Sequence, residues 1–524
     1  MPEGTGSQFA IGVDIGTSGC RVALCRDDGA IVAHATRPLS TLQLAGAGVE
    51  QDPEQLWTAV TDAIRQVTAE AATAGIERAA IVALGCCSQY SSTIPVDARG
   101  RPVGNMLLWM DKRGAPHNQA IWQARGDGLR RWVEIHGLLP LPEGNDCLGH
   151  ALFLKHERPD QYRAARAFLE PMDYFSARLT GRVTATQCSA FMLMLTDNRA
   201  IGGLEYHPEL VGWSGLDPDK LAPLVPVHEP IATLLPELAR ELGLAAETAV
   251  FPGLNDSQCA ALACGTLRGE HAGLSIGTTS VLLGHVDRKD TDTKSSIVSM
   301  PSPIPGRYIV MAENGLGGRT LDHVLRSYFF ADDALARHAP AAGVDPFAGV
   351  EAAARSVAPG SDGVVFLPWL AGSMAPQHDG RMRGGFLNLS LGSTRAHLVR
   401  AVLEGVAMNL RWLLPAVEGF VRRRFSHVVF GGGAARSRIW SQILADVLDR
   451  EVHRLAQPHL LNARAAALYA LARAGHADMA LLDAPEIDEL HAPDPGNRAC
   501  YDRLFSQFVA AFEANRPNSA ACSG

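Results

Sequence analysis

Hydrophobic positions along this chain follow two rhythms, and the points where one gives way to the other mark its elements. The stretch F-A-I-G-V-D-I-G-T-S-G-C-R-V-A-L-C-R-D-D-G-A-I-V-A-H, from Phe9 to His34, holds two β-rich runs around Gly16-Thr17-Ser18-Gly19. Asp28-Gly29 is then a hairpin signal leading to a third strand. After Asp52-Pro53, a pair that starts helices, Leu56, Val60, Ile64 and Val67 recur at helical spacing. Residues 79–84 form an apolar strand that ends in the polar segment Gly85-Cys86-Cys87-Ser88-Gln89-Tyr90-Ser91-Ser92. Residues 93–96 continue as strand, Asp97-Ala98-Arg99-Gly100 is a turn, and 106–110 is a further apolar run. The region 145–200 is mostly helical, with Phe153, Phe168, Tyr174 and Phe175 as core. A stretch rich in Pro and Gly then leads to a strand at 249–251, which puts a domain boundary near residue 250.

The second half repeats the alternation. Strands are predicted at 272–276, 308–311, 363–370 and 427–430, and helices at 257–264, 398–414, 437–448 and 462–474, before a terminal helix. The turn Ile276-Gly277-Thr278-Thr279 matches Ile15-Gly16-Thr17-Ser18 at a distance of 261 positions, half the chain. Two similar lobes, each offering a β-turn to the same ligand, would produce that spacing.

Composition narrows the function classes. With 524 residues, the chain is too long for one core, and two domains of roughly 250 residues follow. Net charge is −8, and the only basic cluster, Arg422-Arg423-Arg424, is too short to argue for nucleic acid. No run reaches about 18 apolar residues, so no membrane span is expected, and the amino terminus lacks the pattern of a signal peptide. The ten cysteines are scattered, without a C-x-x-C pair, which suits reduced thiols in a cytoplasmic protein.

Candidate chemistry gathers at the turns. Gly16 and Gly19 allow backbone amides to approach an anion, Thr17 and Ser18 add hydroxyls, and Asp14 is placed to hold a hydrated Mg²⁺ beside it. A plain hairpin would use the same residues. Asp256 is a solitary acid at the start of a small-residue helix, close in sequence to Gly277-Thr278-Thr279-Ser280; it suits a general base, and also a helix N-cap. Gln89 and Tyr90 stand at a strand end, where α/β sheets line ligand clefts. Trp109 with Asp111 pairs an apolar wall with an acceptor, as a sugar pocket does, although core packing would explain Trp109 equally. Gly431-Gly432-Gly433 after a strand, with Ser437 opening the next helix, offers bare backbone to a nucleotide. The segment Glu313-Asn314-Gly315-Leu316-Gly317-Gly318 looks faintly like a dinucleotide loop, but Thr320 stands where a third Gly is needed.

At these residues the chain resembles the FGGY carbohydrate kinases of the actin-like ATPase superfamily. D-I-G-T-S-G-C-R from Asp14 to Arg21 is similar to the family's first phosphate motif, and W-M-D-K-R from Trp109 to its W-x-D-x-R. G-L-N-D-S-Q-C-A-A-L-A-C-G resembles the segment of the catalytic aspartate, and S-I-G-T-T-S the second phosphate motif. Residues 394–407 look like the second FGGY signature, and 430–447 like the adenosine motif. The resemblance implies an α/β fold of two ribonuclease-H-like domains, 1–250 on the sugar side and 251–524 on the nucleotide side, with a nucleotide cleft between them. It implies Mg²⁺ and ATP as cofactors, a sugar or polyol as partner, and a possible homodimer.

By this resemblance Asp256 is the general base and Asp14 holds Mg²⁺ through water. Thr17, Ser18, Arg21, Gly277, Thr278 and Thr279 contact phosphates, and Gly318, Gly431, Gly432, Gly433 and Ser437 lie by the nucleotide. Gln89, Tyr90, Trp109 and Asp111 face the sugar. The xylulokinase branch is the most similar, which makes D-xylulose the expected substrate. The chain departs from that branch at Tyr90 and Ser91, which replace Met and His, and at Ser373, Met374 and Ser393. A kinase of ribulose, glycerol or fuculose type, or an actin-like ATPase that works as a conformational module, are the alternatives.

Overall fold

In the computed structural model, residues 6–331, 345 and 347–522 are described; the first five residues of the amino-terminal segment discussed above lie outside them. The chain begins with β1 (Phe9–Ile15), β2 (Gly19–Arg26) and β3 (Ile31–Pro38), followed by α1 (Pro53–Thr73) and β4 (Ile81–Ser88). β1 is buried at every position, as expected of a run of Phe, Ile and Val covered on both faces. Asp52 opens α1 by accepting from the Glu54 N–H, and Pro53 sits in its first turn, where a missing N–H costs nothing.

The first sheet places β1 antiparallel to β2, with Asp14 opposite Arg21, and β2 antiparallel to β3. On its other side β1 runs parallel to β4, and β4 takes β5 (Ala249–Val250) and β6 (Leu254–Asn255), both parallel. The predicted boundary near residue 250 therefore falls inside this sheet, because residues 254–255 still pair with β4.

After α2 (Asp256–Ala263), the second sheet repeats the plan. β7 (Ala272–Ile276) is antiparallel to β8 (Thr279–Val286), and β8 to β9 (Tyr308–Leu316). Helix α3 (Arg395–Val421) intervenes, and then β10 (His427–Gly431) lies parallel to β7. Helix α4 (Arg438–Leu448) leads to β11 (Glu451–Leu455), parallel to β10, and then to α5 (Leu461–Arg473). In both sheets the spatial order is third, second, first, fourth, fifth strand. The two phosphate-like turns are thus equivalent, each joining the first and second strands of its sheet. This is the duplicated ribonuclease-H-like architecture expected from the sequence.

The helices after the fifth strands tie the lobes together. α5 packs on β1 and β4 of the first sheet, while α2 packs on α5 and on β8 of the second. The approach of α5 is so close that only glycine fits beneath it. A Cβ on Gly12 would lie 1.8 Å from the Ala463 carbonyl oxygen, and one on Gly85 2.3 Å from that of Ala466.

Candidate active site

Asp256 occupies the first turn of α2 and is half-buried. It does not cap the helix. That role belongs to Asn255, whose side chain accepts from the Gln258 N–H at 2.8 Å while Gln258 Oε1 accepts from the Asn255 N–H at 3.0 Å. The Asp256 carboxyl accepts only from Ser257 among the described residues: its N–H donates to Oδ1 at 2.8 Å and its hydroxyl to the same oxygen at 3.5 Å. Burial pushes its pKa from 3.8 up to about 7, helped by the negative charges of Asp14 and Glu313 and opposed by the Ser257 hydrogen bond. A carboxyl outside the helix cap and poised near neutrality can accept a proton from a hydroxyl.

The turn between β1 and β2 closes through Gly16 N–H donating to the Gly19 carbonyl at 3.0 Å, with Ser18 exposed at its tip. Asp14 is buried, which raises its pKa; Arg21, whose Nη1 lies 3.2 Å from Oδ2, and the Asn462 and Cys87 side chains pull it back toward the ionised form. The Thr17 hydroxyl, expected at a phosphate, donates to Gln89 Oε1 at 2.5 Å and accepts from Trp109 Nε1 at 3.1 Å. Gln51, which the sequence did not single out, joins this group by donating to the Thr17 carbonyl at 2.6 Å. The structure thereby brings Gln89 and Trp109 together against the β1–β2 turn. Tyr90 reaches the other lobe, its Oη donating to Met311 Sδ on β9.

On the second lobe, Gly277, Thr278 and Thr279 form the β7–β8 turn, and backbone contacts gather the glycine segments around it. Gly318 N–H donates to the Gly277 carbonyl at 2.9 Å, and Gly317 N–H to that of Thr278 at 3.0 Å. Gly432 has φ +89°, and a Cβ there would meet the Ile276 carbonyl oxygen at 2.7 Å; next to it, Gly433 borders open space. Gly318 and Gly432 thus close on the turn through contacts that side chains would block, with Gly433 exposed beside them, whereas Gly431 is buried at the end of β10 against Leu455 and Leu461. The segment 313–316 is strand rather than loop, which removes the dinucleotide-loop resemblance.

Two expected residues are committed elsewhere. Asp111 is fully buried: Oδ2 accepts from Val49 N–H at 2.9 Å and from Arg113 Nη2 at 2.6 Å, and Oδ1 accepts from the Arg113 backbone at 3.0 Å. Its carboxylate is taken up by Val49 and Arg113, which ties the segment after Trp109 to the strand at 48–51. Ser437 caps α4, accepting from Trp440 N–H, and donates to Glu351 Oε2 at 2.8 Å.

Glu313 is the residue the sequence reading passed over. Strand alternation on β9 sends Val310 and Ala312 into the core of the second lobe, and turns Met311 and Glu313 to the side where Met311 meets Tyr90. Burial raises the Glu313 pKa to about 7, and no described residue hydrogen-bonds or ion-pairs with its carboxyl. A carboxylate directly after the apolar run Ile309–Ala312 was the available signal.

The oxygen set suits a hydrated cation. Beside Asp14, the Asn462 Oδ1 at the start of α5 is buried without a hydrogen-bond partner. Among the described residues no three His, Cys, Asp or Glu side chains converge as direct ligands, and a lone carboxylate with an orphaned amide oxygen fits an ion that keeps most of its waters. Also among the described residues, no helix is long and apolar enough to cross a membrane.

Comparison with known proteins agrees with this geometry. Residues 9–263 match the N-terminal domain of the FGGY family of carbohydrate kinases, and 272–474 its C-terminal domain. The xylulose kinase of Escherichia coli K12 is 28% identical over 510 residues, covering 95% of this chain and 99% of its own. A gluconokinase of Bacillus subtilis is 26% identical over 451 residues, covering 85% and 84%. The crystal structure of a xyloylose kinase from Brucella ovis shares the fold, with a TM-score of 0.82 at 24% identity over 97% of this chain and 100% of that one. Relatives along nearly the whole length are thus sugar kinases, which leaves no support for a purely conformational ATPase. With both halves matched and the glycine turns duplicated on two like sheets, the chain belongs to the FGGY family of carbohydrate kinases.

Proposed function

We propose that this kinase transfers the γ-phosphate of Mg·ATP to a hydroxyl of a ketopentose, D-xylulose foremost, giving xylulose 5-phosphate. The observation that carries the reading is Asp256: half-buried, not used as the helix cap, and pushed up to about 7 by burial and by the charges of Asp14 and Glu313. Asp256 accepts the proton of the attacking hydroxyl. The backbone at Gly16 and Gly277, with Ser18, Arg21, Thr278 and Thr279, orients phosphate oxygens, since phosphoryl transfer depends mainly on positioning and charge neutralisation. Asp14 and Asn462 would hold a hydrated Mg²⁺, and bound Mg·ATP would supply the phosphoryl group while the ion neutralised part of its charge. Gly318, Gly432 and Gly433 face the nucleotide from the second lobe. Gln89, Tyr90 and Trp109, on the first, line the sugar side together with Thr17, whose hydroxyl bridges Gln89 and Trp109. Closure of the lobes shields the transfer from water.

The gluconokinase relatives offer a second reading, a sugar acid. Glu313 disfavours it: its carboxyl, without a counter-ion among the described residues, stands close enough to raise the pKa of Asp256, so a sugar carboxylate would add a further negative charge there. The test is ADP release with D-xylulose, D-ribulose, L-fuculose, glycerol and gluconate. D-Xylulose should give the highest kcat/KM; a higher value for gluconate, or ATP turnover independent of sugar, overturns the assignment.

A further inference from the structure

Behind the proposed sugar side lies a buried acid that the family motifs do not contain. Glu170 precedes the helix Pro171–Thr180 and is 5% exposed. Its carboxyl grips the turn that follows β4: Ser91 N–H donates to Oε1 at 2.9 Å, Ser92 N–H to Oε2 at 3.0 Å, and Cys147 Sγ lies 3.1 Å from Oε1. Two consecutive backbone donors on two oxygens of one carboxyl fix both the position and the orientation of the turn. The turn needs holding, because Ser91 has φ +61°, the left-handed region that a serine enters at a cost.

The same turn connects to each sugar-side residue. Gln89 and Tyr90 immediately precede Ser91, and Gln89 N–H donates to the Ile15 carbonyl at 2.7 Å. Ser92 Oγ accepts from Trp109 N–H at 3.2 Å. Ser91 Oγ donates to the Asn145 carbonyl at 2.8 Å, and Asn145 Nδ2 donates to the Trp109 carbonyl at 3.0 Å. Trp109 is therefore held from both of its backbone polar groups by residues attached to the turn that Glu170 fixes.

We infer that Glu170 is a positioning residue: through the Ser91 and Ser92 amides it sets where Gln89, Tyr90 and Trp109 stand toward the sugar, without touching the sugar itself. This rests on the reading of those three residues as the sugar side. The chemistry makes Gln a sharp probe. A glutamine at 170 can accept from one amide, but it turns an NH₂ toward the other, so one buried donor loses its acceptor and faces a second donor.

The experiment is steady-state kinetics of full-length E170Q and Q89A, with D-xylulose and ATP each varied, alongside their melting temperatures. E170Q should raise the sugar KM about ten-fold or more, with ATP KM and kcat at saturating sugar within about two-fold. Q89A should raise the sugar KM as well. A raised KM in Q89A with an unchanged one in E170Q overturns the role of Glu170 and leaves the sugar side standing. A joint rise in sugar and ATP KM with falling kcat in E170Q shows general loosening and also overturns it. No change in either variant overturns both readings, whereas a selective effect in E170Q alone removes Gln89 from the sugar side and supports positioning through Tyr90 and Trp109. If E170Q does not fold, Ser91→Gly keeps the amide but frees the turn and removes the Asn145 bond. It should raise the sugar KM alone, by about three-fold, and an unchanged constant there overturns the inference.

Discussion

Replacing Asp256 by Asn should cost the enzyme its turnover and make it more stable. The carboxyl titrates near 7 in the folded protein against 3.8 for an ordinary aspartate. The folded state therefore binds this proton more tightly than the unfolded chain does, so stability falls as pH rises from about 3.8 to about 7 and then levels off. A shift of about three units corresponds to ~4 kcal/mol as an upper bound, and water at the half-buried carboxyl reduces it toward ~1 kcal/mol. Asn removes the charge and retains an oxygen for the Ser257 amide, which now donates at 2.8 Å. At pH 8 the variant should gain that free energy, roughly 2 to 4 °C in melting temperature per kcal/mol for a lobe of this size. The gain should shrink at pH 5, where the wild-type carboxyl is already protonated. Turnover should fall by roughly two to four orders of magnitude, the contribution of a general base, with ATP binding retained. Thermal denaturation at pH 5 and 8, coupled ADP release and nucleotide binding provide the readouts. Near-normal turnover removes Asp256 as the base, and a melting temperature at pH 8 equal to or below wild type refutes the burial argument.

Three further expectations follow from the same geometry. Sugar kcat/KM should rise about ten-fold per pH unit up to a break near 7, and Glu313→Gln should move that break to lower pH, because the negative charge of Glu313 helps raise the Asp256 pKa; an unmoved break rules out that coupling. Gly12→Ala should lower the melting temperature by an amount equivalent to about 1–3 kcal/mol or more, since its Cβ would lie 1.8 Å from a backbone oxygen of α5; an unchanged melting curve refutes so close a packing. Ser437→Ala should lose ~1 kcal/mol of stability with its cap while ATP KM stays within about two-fold, and a large rise in that constant would return Ser437 to the nucleotide.

Local sequence made much of the framework legible. The runs at 9–34 and 272–276 are strands because β-branched and apolar residues flank glycine turns, and their equivalence followed from the repeated Gly-Thr turn. The helix of 53–73 was visible from its Asp-Pro start and its periodicity. Asp256 stood out as an acid among small residues, but its capping alternative could be dismissed only once Asn255 and Gln258 were seen to close on one another. Glu313 was hidden because its glycine-rich surroundings suggested a loop, and β9 runs straight through them. Asp111 and Ser437 matched motifs by type and spacing, yet motif matching cannot tell a cleft-facing carboxyl or hydroxyl from one consumed by Arg113 or Glu351.

The sequence by itself determined the parts: the strands, the two glycine turns, the acid at the head of α2 and the glycines that let backbone come close. Those follow from φ/ψ preference and from hydrophobic period, which act over a few residues. The tertiary structure decided which parts share a cleft and in what state of charge. The pKa of Asp256 depends on burial and on Asp14 and Glu313, which lie 242 and 57 positions away in the chain. The placement of Gln89, Tyr90 and Trp109 depends on Glu170, which only the fold brings beneath their turn. Desolvation and hydrogen bonding act through space, and no local pattern encodes the distance over which they act.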